Sequence, residues 1–263
     1  GGELIVSQDS TRQPINQYRR HFLSVAGKAA AAAAIAPGVF LHTMGPAAPR
    51  AEAVTDDGGS GVLIDTSRCA DGCSDWVRAC DQENGMDLLI KPKGASDEEW
   101  ARQKPRWIRT VKVQDNLSGK VTSLPMLCQH CEHPPCVDVC PTGASFRRAD
   151  GLVLVDRHTC IGCRYCMMAC PYKARSFIHE NVQLQRTAVP RGKGCVESCT
   201  FCVHRLDQGG TTTACQDACT HDAIVFGDLK DPDSEISKAL AEHSGTQLRA
   251  DLKLNTGVRY RGI

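Results

Sequence analysis

The sequence predicts a loop-rich α+β fold built around two similar halves, and three observations support this prediction. First, two runs of four cysteines follow each other, at 128–140 and 160–170. Second, a short strand-like stretch follows each run, at 144–147 and 174–178. Third, the chain of 263 residues contains 16 cysteines but only 5% aromatic residues. A modest apolar core of this kind indicates that a group bound by the cysteines helps to hold the fold together.

The spacing within the runs indicates what the cysteines bind. Two, two and three residues separate the cysteines of the second run, and Pro171 follows the last of them. This is the bacterial ferredoxin pattern, in which three close thiolates hold one [4Fe–4S] cluster and the fourth ligates the neighbouring cluster. Two runs in tandem therefore predict a pseudo-twofold ferredoxin-like unit whose two clusters exchange their fourth ligands. The predicted sets are Cys128, Cys131, Cys136 and Cys170 for one cluster, and Cys160, Cys163, Cys166 and Cys140 for the other.

Local signals predict the elements around these runs. Asp150 and Gly151 indicate a hairpin turn between short strands at 144–147 and 152–155. Ser96 and Glu99 form a capping-box pattern, which predicts a helix that begins near Asp97. The other expected elements are strands at 107–113 and 223–226, a helix at 235–243 capped by Ser234, and an extended docking tail after Gly257. The insertion at 81–127 is expected to cover a cluster, contact a partner or form a solvated loop.

Other uses of cysteine fit the spacing less well. Disulfide frameworks usually join distant segments, whereas Cys160, Cys163 and Cys166 follow one another closely. Structural zinc sites take pairs of cysteines from two segments, and a triplet exceeds that need. Attachment of haem c requires the string Cys-x-x-Cys-His, which does not occur in this sequence. An exported binding module held by disulfides is therefore the weaker alternative.

The first 53 residues have the features of an export signal. Arg19 and Arg20 form a twin-arginine pair, an alanine-rich stretch follows at 29–36, and the small residues Ala51 and Ala53 offer a cleavage site. Export of folded proteins suits a chain that must first receive its clusters. The sequence therefore predicts a periplasmic protein whose signal is cleaved or retained as an anchor, with an ordinary alanine-rich helix as the alternative. The expected segments are the signal at 1–53, a first cluster motif with its insertion at 54–127, a two-cluster unit at 128–180, a last cluster motif at 181–230, and a helix with a docking tail at 231–263.

Eight cysteines lie outside the two central runs, and their surroundings resemble a known family. Three precede the runs and five follow them, which provides thiolates for two more clusters. The chain resembles the four-cluster ferredoxin-like subunits of membrane oxidoreductases that serve polysulfide, tetrathionate and dimethyl sulfoxide reductases. The strings that carry this resemblance are CQHCEHPPC at 128–136, CIGCRYC at 160–166, CTFC at 199–202 and FGDL at 226–229.

A closer resemblance within this family is to the periplasmic iron–sulfur subunit of the membrane complex linked to dissimilatory sulfite reductase, the DsrO type. The strings PTGASF at 141–146, MMACPYKAR at 167–175 and PRGKG at 190–194 carry it. This resemblance implies two partners, a polytopic quinone-interacting membrane subunit and a multihaem cytochrome c or other redox subunit. It also implies that the chain is associated with the membrane through these partners.

The resemblance also implies ligand sets for the outer cysteines, with one departure from the family pattern. In the first run the third ligand position falls on Trp76, and indole cannot replace thiolate. Cys195 is the expected substitute, because it lies four residues before the last run proper. The implied sets are Cys69, Cys73, Cys195 and Cys219 for one outer cluster, and Cys80, Cys199, Cys202 and Cys215 for the other. Four clusters are expected, or three if the site of Cys69, Cys73, Cys195 and Cys219 is vestigial.

The predicted function is electron transfer between a quinone-interacting membrane subunit and a partner redox protein in sulfur-compound respiration or oxidation. The sequence has no dinucleotide fingerprint, no phosphate-binding loop and no nucleophile elbow, so we expect a subunit without a catalytic site of its own. A net charge of +1 offers no electrostatic basis for nucleic-acid binding. The alternatives are the iron–sulfur subunit of a molybdopterin-type reductase, and an enzyme in which an open cluster with three ligands binds substrate.

Overall fold

The computed structural model describes residues 59–69, 72–114, 116–117, 119 and 121–263. The predicted twin-arginine signal at 1–53 lies outside the described residues. None of the helices in the described ranges is long and apolar enough to cross a membrane. The elements, in chain order, are β1 (Ser60–Asp65), α1 (Asp75–Glu83), α2 (Asp97–Gln103), β2 (Arg109–Gln114), β3 (Val121–Met126), α3 (Pro135–Asp138), β4 (Ser145–Arg147), β5 (Val153–Val155), α4 (Tyr165–Ala169), β6 (Ser176–Phe177), β7 (Val196–Glu197), α5 (Val203–Leu206), α6 (Ala214–Asp217), β8 (Ile224–Asp228), α7 (Glu235–Glu242), a 3₁₀ turn (Ala250–Leu252) and β9 (Val258–Arg261).

The largest sheet joins the two ends of the described chain. Strand β1 is central, antiparallel to β8 and parallel to β9. Its run of Val62, Leu63 and Ile64 is buried throughout, as expected for a strand that is covered on both faces. Because β8 directly follows the last cysteine run and β1 directly precedes the first, this sheet brings the outer cysteine motifs together.

Strand β9 corrects the expectation of a docking tail after Gly257. Val258 and Tyr260 are completely buried, and β9 pairs with β1 over four residues. The Tyr260 hydroxyl donates a hydrogen bond to the Pro125 carbonyl at 2.7 Å and accepts one from the Gln129 side chain at 3.1 Å. The end of the chain is therefore part of the core and supports the loop that begins at Cys128.

The expected hairpin and both expected helix caps are present. Strands β4 and β5 pair antiparallel around a turn that contains Asp150 and Gly151, with Gly151 in the left-handed region at φ 89°. Helix α2 begins with the complete capping box between Ser96 and Glu99, and the Ser234 hydroxyl accepts a hydrogen bond from the Ser237 amide at the start of α7. The strand expected at 174–178 is shorter, and β6 pairs with β7.

The insertion between α1 and the first central cysteine run forms helix α2 and the β2–β3 hairpin. The two strands pair over six residues, and the outer part of the hairpin is exposed. Thr110, Lys112, Val121 and Ser123 line a cavity beside Cys69 and Cys73. The insertion thus extends over an outer cysteine motif.

The core contains an ion pair that ties the insertion to the last cysteine motif. Arg191 Nε lies 2.8 Å from Glu197 Oε2, and the two side chains are 2% and 1% exposed. The same guanidinium donates to the Asn84 carbonyl at the end of α1 and lies 5.3 Å from the Trp107 ring centre. One buried cation therefore contacts three segments that are remote in sequence.

We expect the substitution Glu197→Gln to destabilise the fold by about 3–5 kcal/mol, because it leaves the Arg191 charge buried without a counter-ion. The measurement is anaerobic guanidinium unfolding of the cluster-loaded protein, followed by circular dichroism. Lys91→Ala is the control, because it removes an exposed ion pair with Asp97 and should not move the midpoint. An equal midpoint for Glu197→Gln and the wild type would contradict this role of the pair.

Candidate iron–sulfur sites

All sixteen cysteines lie in the described residues as free thiols. The structure gathers most of them into four neighbouring groups, which we call sites 1 to 4. Site 1 contains Cys69, Cys73 and Cys219. Site 2 contains Cys80, Cys199, Cys202 and Cys215. Site 3 contains Cys128, Cys131, Cys136 and Cys170. Site 4 contains Cys140, Cys160 and Cys166, together with Cys163 on the same loop.

Site 3 combines the first central run with the last cysteine of the second. The Cys131 thiol interacts electrostatically with the thiols of Cys128, Cys136 and Cys170. All four residues are buried. Burial first, and the neighbouring thiols second, raise the pKa of Cys131 to about 12. The structure therefore places Cys170 with the cysteines that spacing predicts as its partners, rather than with its neighbours in sequence.

Site 4 is formed by the first three cysteines of the second central run and by Cys140, the last cysteine of the first run. The Cys166 thiol interacts with Cys160 and Cys140, while Cys163 is exposed on the intervening loop. This loop depends on Gly162, whose φ is +71° and where a Cβ atom would lie 2.2 Å from the Gly194 carbonyl oxygen. Burial opposes ionisation of Cys140, but hydrogen bonds from the Ser145 amide and from Thr142 lower its pKa. Cys140 is thus prepared to act as an anionic ligand.

Site 2 joins the last residue of the first cysteine motif to the final run. The thiols of Cys199, Cys80, Cys215 and Cys202 interact with one another, and burial is the main cause that raises their pKa values, to about 11 for Cys202. Polar groups surround these sulfurs. Cys80 Sγ accepts from the Asn84 side chain at 3.5 Å, Cys199 Sγ from the Phe201 amide at 3.5 Å and Cys202 Sγ from the Ala214 amide at 3.5 Å.

Site 1 contains three thiols and no fourth cysteine among the described residues. Burial first, and then Cys219 and Cys73, raise the pKa of Cys69. Trp76, which occupies the third ligand position of this motif, is buried and lines a cavity of about 450 Å³ together with Cys69 and Cys73. The indole offers only an N–H donor, so it cannot take the place of the missing thiolate.

The structure places Cys195 beside site 4, whereas the sequence-based assignment grouped it with Cys69, Cys73 and Cys219. The Cys195 thiol donates a hydrogen bond to the Arg157 carbonyl at 3.2 Å and interacts with Cys160 of site 4. Strand pairing explains the position, because the Ile178 amide donates to the Cys195 carbonyl and β6 pairs with β7. The backbone of residue 195 is therefore tied to the segment that follows site 4.

The four sites adjoin one another in numerical order. The Cys215 thiol of site 2 interacts with Cys219 of site 1, and the Cys136 thiol of site 3 interacts with Cys166 of site 4. Between sites 2 and 3, the Ser198 hydroxyl donates to Cys128. The buried ring of His130 also lies there, with its centre 3.8 Å from that of Phe201.

From the sequence, His130 is expected to lie next to a cluster or on the surface rather than to bind iron, and the structure shows its ring buried. Burial lowers the pKa of His130 to about 3, and its Nδ1 accepts a hydrogen bond from the Val153 amide at 3.0 Å. Its backbone φ of 42° is in the left-handed region. Its place between Cys128 and Cys131 in the sequence indicates a position near a cluster, but it does not distinguish a buried ring from an exposed one.

Sites 2, 3 and 4 fit a [4Fe–4S] cluster by the chemistry of their donors. Each provides four cysteines, and peptide or side-chain N–H groups donate to thiols in all three, which is how proteins tune such clusters. Within the described ranges, no group of three or more His, Cys, Asp or Glu side chains is arranged to hold a single metal ion. Arg175 adds a buried cation whose Nε and Nη1 have no hydrogen-bond partner, so an anionic group would complete its surroundings.

Comparison with known proteins identifies the family. Residues 120–229 match the model of the 4Fe-4S dicluster domain. The chain is 39% identical to Hdr-like menaquinol oxidoreductase iron-sulfur subunit 1 of Archaeoglobus fulgidus, over 92% of this chain and 97% of that protein. It is 37% identical to a tetrathionate reductase subunit of Salmonella typhimurium, over 86% and 79% of the two chains. It is 33% identical to the arsenate respiratory reductase iron-sulfur subunit ArrB of a Shewanella species, over 76% and 94%. The chain therefore belongs to the family of ferredoxin-like iron–sulfur subunits of oxidoreductase complexes, which bind 4Fe-4S clusters.

Proposed function

We propose that this chain relays single electrons along its bound [4Fe–4S] clusters, between a quinone-interacting membrane subunit and a partner redox protein. The observation that carries the proposal is that sites 2, 3 and 4, which have four cysteines each, adjoin one another in order. An enzyme that acts on a small molecule needs one site that its substrate can reach. An electron-transfer subunit instead needs several redox centres next to one another. The names of the relatives, which include a menaquinol oxidoreductase subunit, support a role linked to quinol.

We assign one cluster each to sites 2, 3 and 4, with the four cysteines of each site as ligands. When bound, such a cluster gains or loses one electron at a potential set by its surroundings. The protein residues hold the thiolates at fixed positions, exclude water from the buried sulfurs and donate hydrogen bonds to them. Ser198, Asn84 and the amides of Phe201 and Ala214 serve this last role at sites 2 and 3.

Site 1 is assigned no four-thiolate cluster, so the proposed total is three. The sequence-based expectation of four depended on Cys195, and that thiol lies beside Cys160 of site 4. Site 1 then keeps Cys69 and Cys73 of the first motif, whose third ligand position is Trp76, together with Cys219 of the last motif. This is the three-cluster alternative that the sequence left open.

The proposed partners are a polytopic quinone-interacting membrane subunit and a multihaem cytochrome c, with the chain in the periplasm and the complex linked to sulfur-compound metabolism. The second candidate is the iron–sulfur subunit of a molybdopterin-type reductase, which the similarity to the tetrathionate reductase subunit favours. Purification of the complex from membranes of the native host separates the two. A co-purifying c-type cytochrome supports the first proposal, and a co-purifying molybdopterin protein in its place contradicts it.

The substitution Cys170→Ala tests whether each central run provides the fourth ligand for the cluster of the other run. We expect this variant to lose the cluster of site 3, about four irons per chain, and to retain that of site 4. The measurement is iron and acid-labile sulfide per chain, with electron paramagnetic resonance of the reduced protein. Cys166→Ala is the matched control, because it should remove the signal of site 4 and retain that of site 3. Loss of the same signal in both variants would contradict the assignment.

The assignment of Cys195 gives a second prediction. Because its thiol donates to the Arg157 carbonyl, we expect Cys195→Ala to retain the wild-type content of iron and sulfide. Any spectral change should be confined to the signal of site 4, whose Cys160 is in contact with it. A loss of about four irons would restore Cys195 as a ligand. Wild-type protein without iron, isolated anaerobically, would refute the clusters altogether.

A further inference from the structure

We propose that Arg175 raises the reduction potentials of the clusters of sites 3 and 4 together, as one buried positive charge shared by both sites. This inference rests on the ligand sets proposed above and adds a residue that controls the relay. It concerns a positioning and tuning residue, because Arg175 is not itself a ligand.

The guanidinium of Arg175 lies between the two sites. Its Nη2 donates a hydrogen bond to Cys136 Sγ of site 3 at 3.1 Å. It also interacts with the Cys166 thiol of site 4 and with the Cys128 thiol of site 3. The residue is only 5% exposed. Because Arg175 contacts ligands of both sites, its charge acts on both clusters.

The described residues provide no carboxylate as a counter-ion for this cation. In the described part of the chain, no carboxylate forms an ion pair with Arg175, whereas Arg191 and Arg205 are paired with Glu197 and Glu83. Its Nε and Nη1 are buried without a hydrogen-bond partner. A buried charge in this state is unfavourable unless a counter-charge is present. A four-thiolate cluster supplies one, since its formal charge is about −2 in the oxidised form when the charges of iron and sulfide are included.

The sign of the effect follows from electrostatics. Reduction adds one negative charge to a cluster, and a nearby cation favours the more negative state. In the interior this interaction is screened less than at the surface. Removal of the charge must therefore lower the potentials of both clusters. Site 2 lies one step further along the row, so the effect there should be smaller.

Lys173 offers a matched comparison, since it lies two residues before Arg175 in the same loop. Its side chain is exposed and donates to the Met168 carbonyl. Water screens an exposed charge, so the loss of this one should have little effect. The pair therefore separates a buried, shared charge from the general positive charge of the loop.

The experiment is a redox titration of the anaerobically purified, cluster-loaded protein, monitored by electron paramagnetic resonance. The variants are Arg175→Met, Arg175→Lys and Lys173→Gln, with signals assigned through Cys170→Ala, Cys166→Ala and Cys202→Ala. We expect Arg175→Met to lower the equilibrium constants for reduction of the clusters of sites 3 and 4 at least tenfold. For a one-electron couple, a tenfold change corresponds to a decrease of about 59 mV in the reduction potential. Site 2 should change by less than a third of that shift. Arg175→Lys, which keeps the charge but lacks the planar fork, should recover part of the loss, and Lys173→Gln should resemble the wild type.

Each other outcome overturns the inference. Unchanged potentials in Arg175→Met with full iron content would show that the charge does not act on the clusters. A shift confined to one site would refute the shared role. If Arg175→Met loses iron, the Arg175→Lys variant separates the two roles of this residue. Loss of iron in Arg175→Lys as well would show that Arg175 holds the structure together rather than tuning the potentials. Empty sites in the wild type would instead contradict the ligand sets.

Discussion

The structure depends on the stabilisation of sulfur anions in the protein interior. Burial raises the pKa of thiols at all four sites, to about 12 at Cys131 and Cys136. An isolated buried thiolate is unfavourable, and four together repel one another. Iron supplies most of the compensating charge, while N–H donors and the Arg175 guanidinium supply the remainder at the ligands. The core is made of apolar side chains and cysteines in the same clusters, so cluster binding and folding are coupled.

This coupling explains how such short elements persist. Helices α3, α5 and α6 have four residues each and α4 has five, far below the length at which an isolated helix is stable in water. Each carries or adjoins a ligand of a site. Site 2 joins Cys80 to a segment more than a hundred residues later, and site 3 joins the two central runs. With the proposed ligand sets, the clusters therefore act as long-range links that hold together local structure with little propensity of its own.

Spacing and local signals predicted those parts of the fold whose cause is local. The ferredoxin pattern places Cys170 with Cys128, and the capping residues Ser96 and Ser234 begin helices where expected. Proximity to Cys199 in sequence does not reveal which way the chain turns at Cys195, whose thiol lies beside Cys160 of site 4. The pairing of β6 with β7 decides that. Strand β9 has no local signal either, since its parallel partner lies near the other end of the described chain. The burial of Arg175 also has no local signal, because it arises only when the segments of sites 3 and 4 come together in the fold.

The row of sites reaches the surface at both ends, with different chemistry at each. At site 4 the ligand Cys163 is exposed, and Ile161, Tyr165 and Met168 around it are exposed as well. At the other end, site 1 lacks a fourth thiolate among the described residues, and the β2–β3 hairpin lies over its cavity. An electron that leaves by this end must depart from the buried site 2, so site 4 offers the closer approach between a cluster and a partner. The buried charge of Arg175 lies one step inside that exposed end, where it acts on both the terminal cluster and the next one.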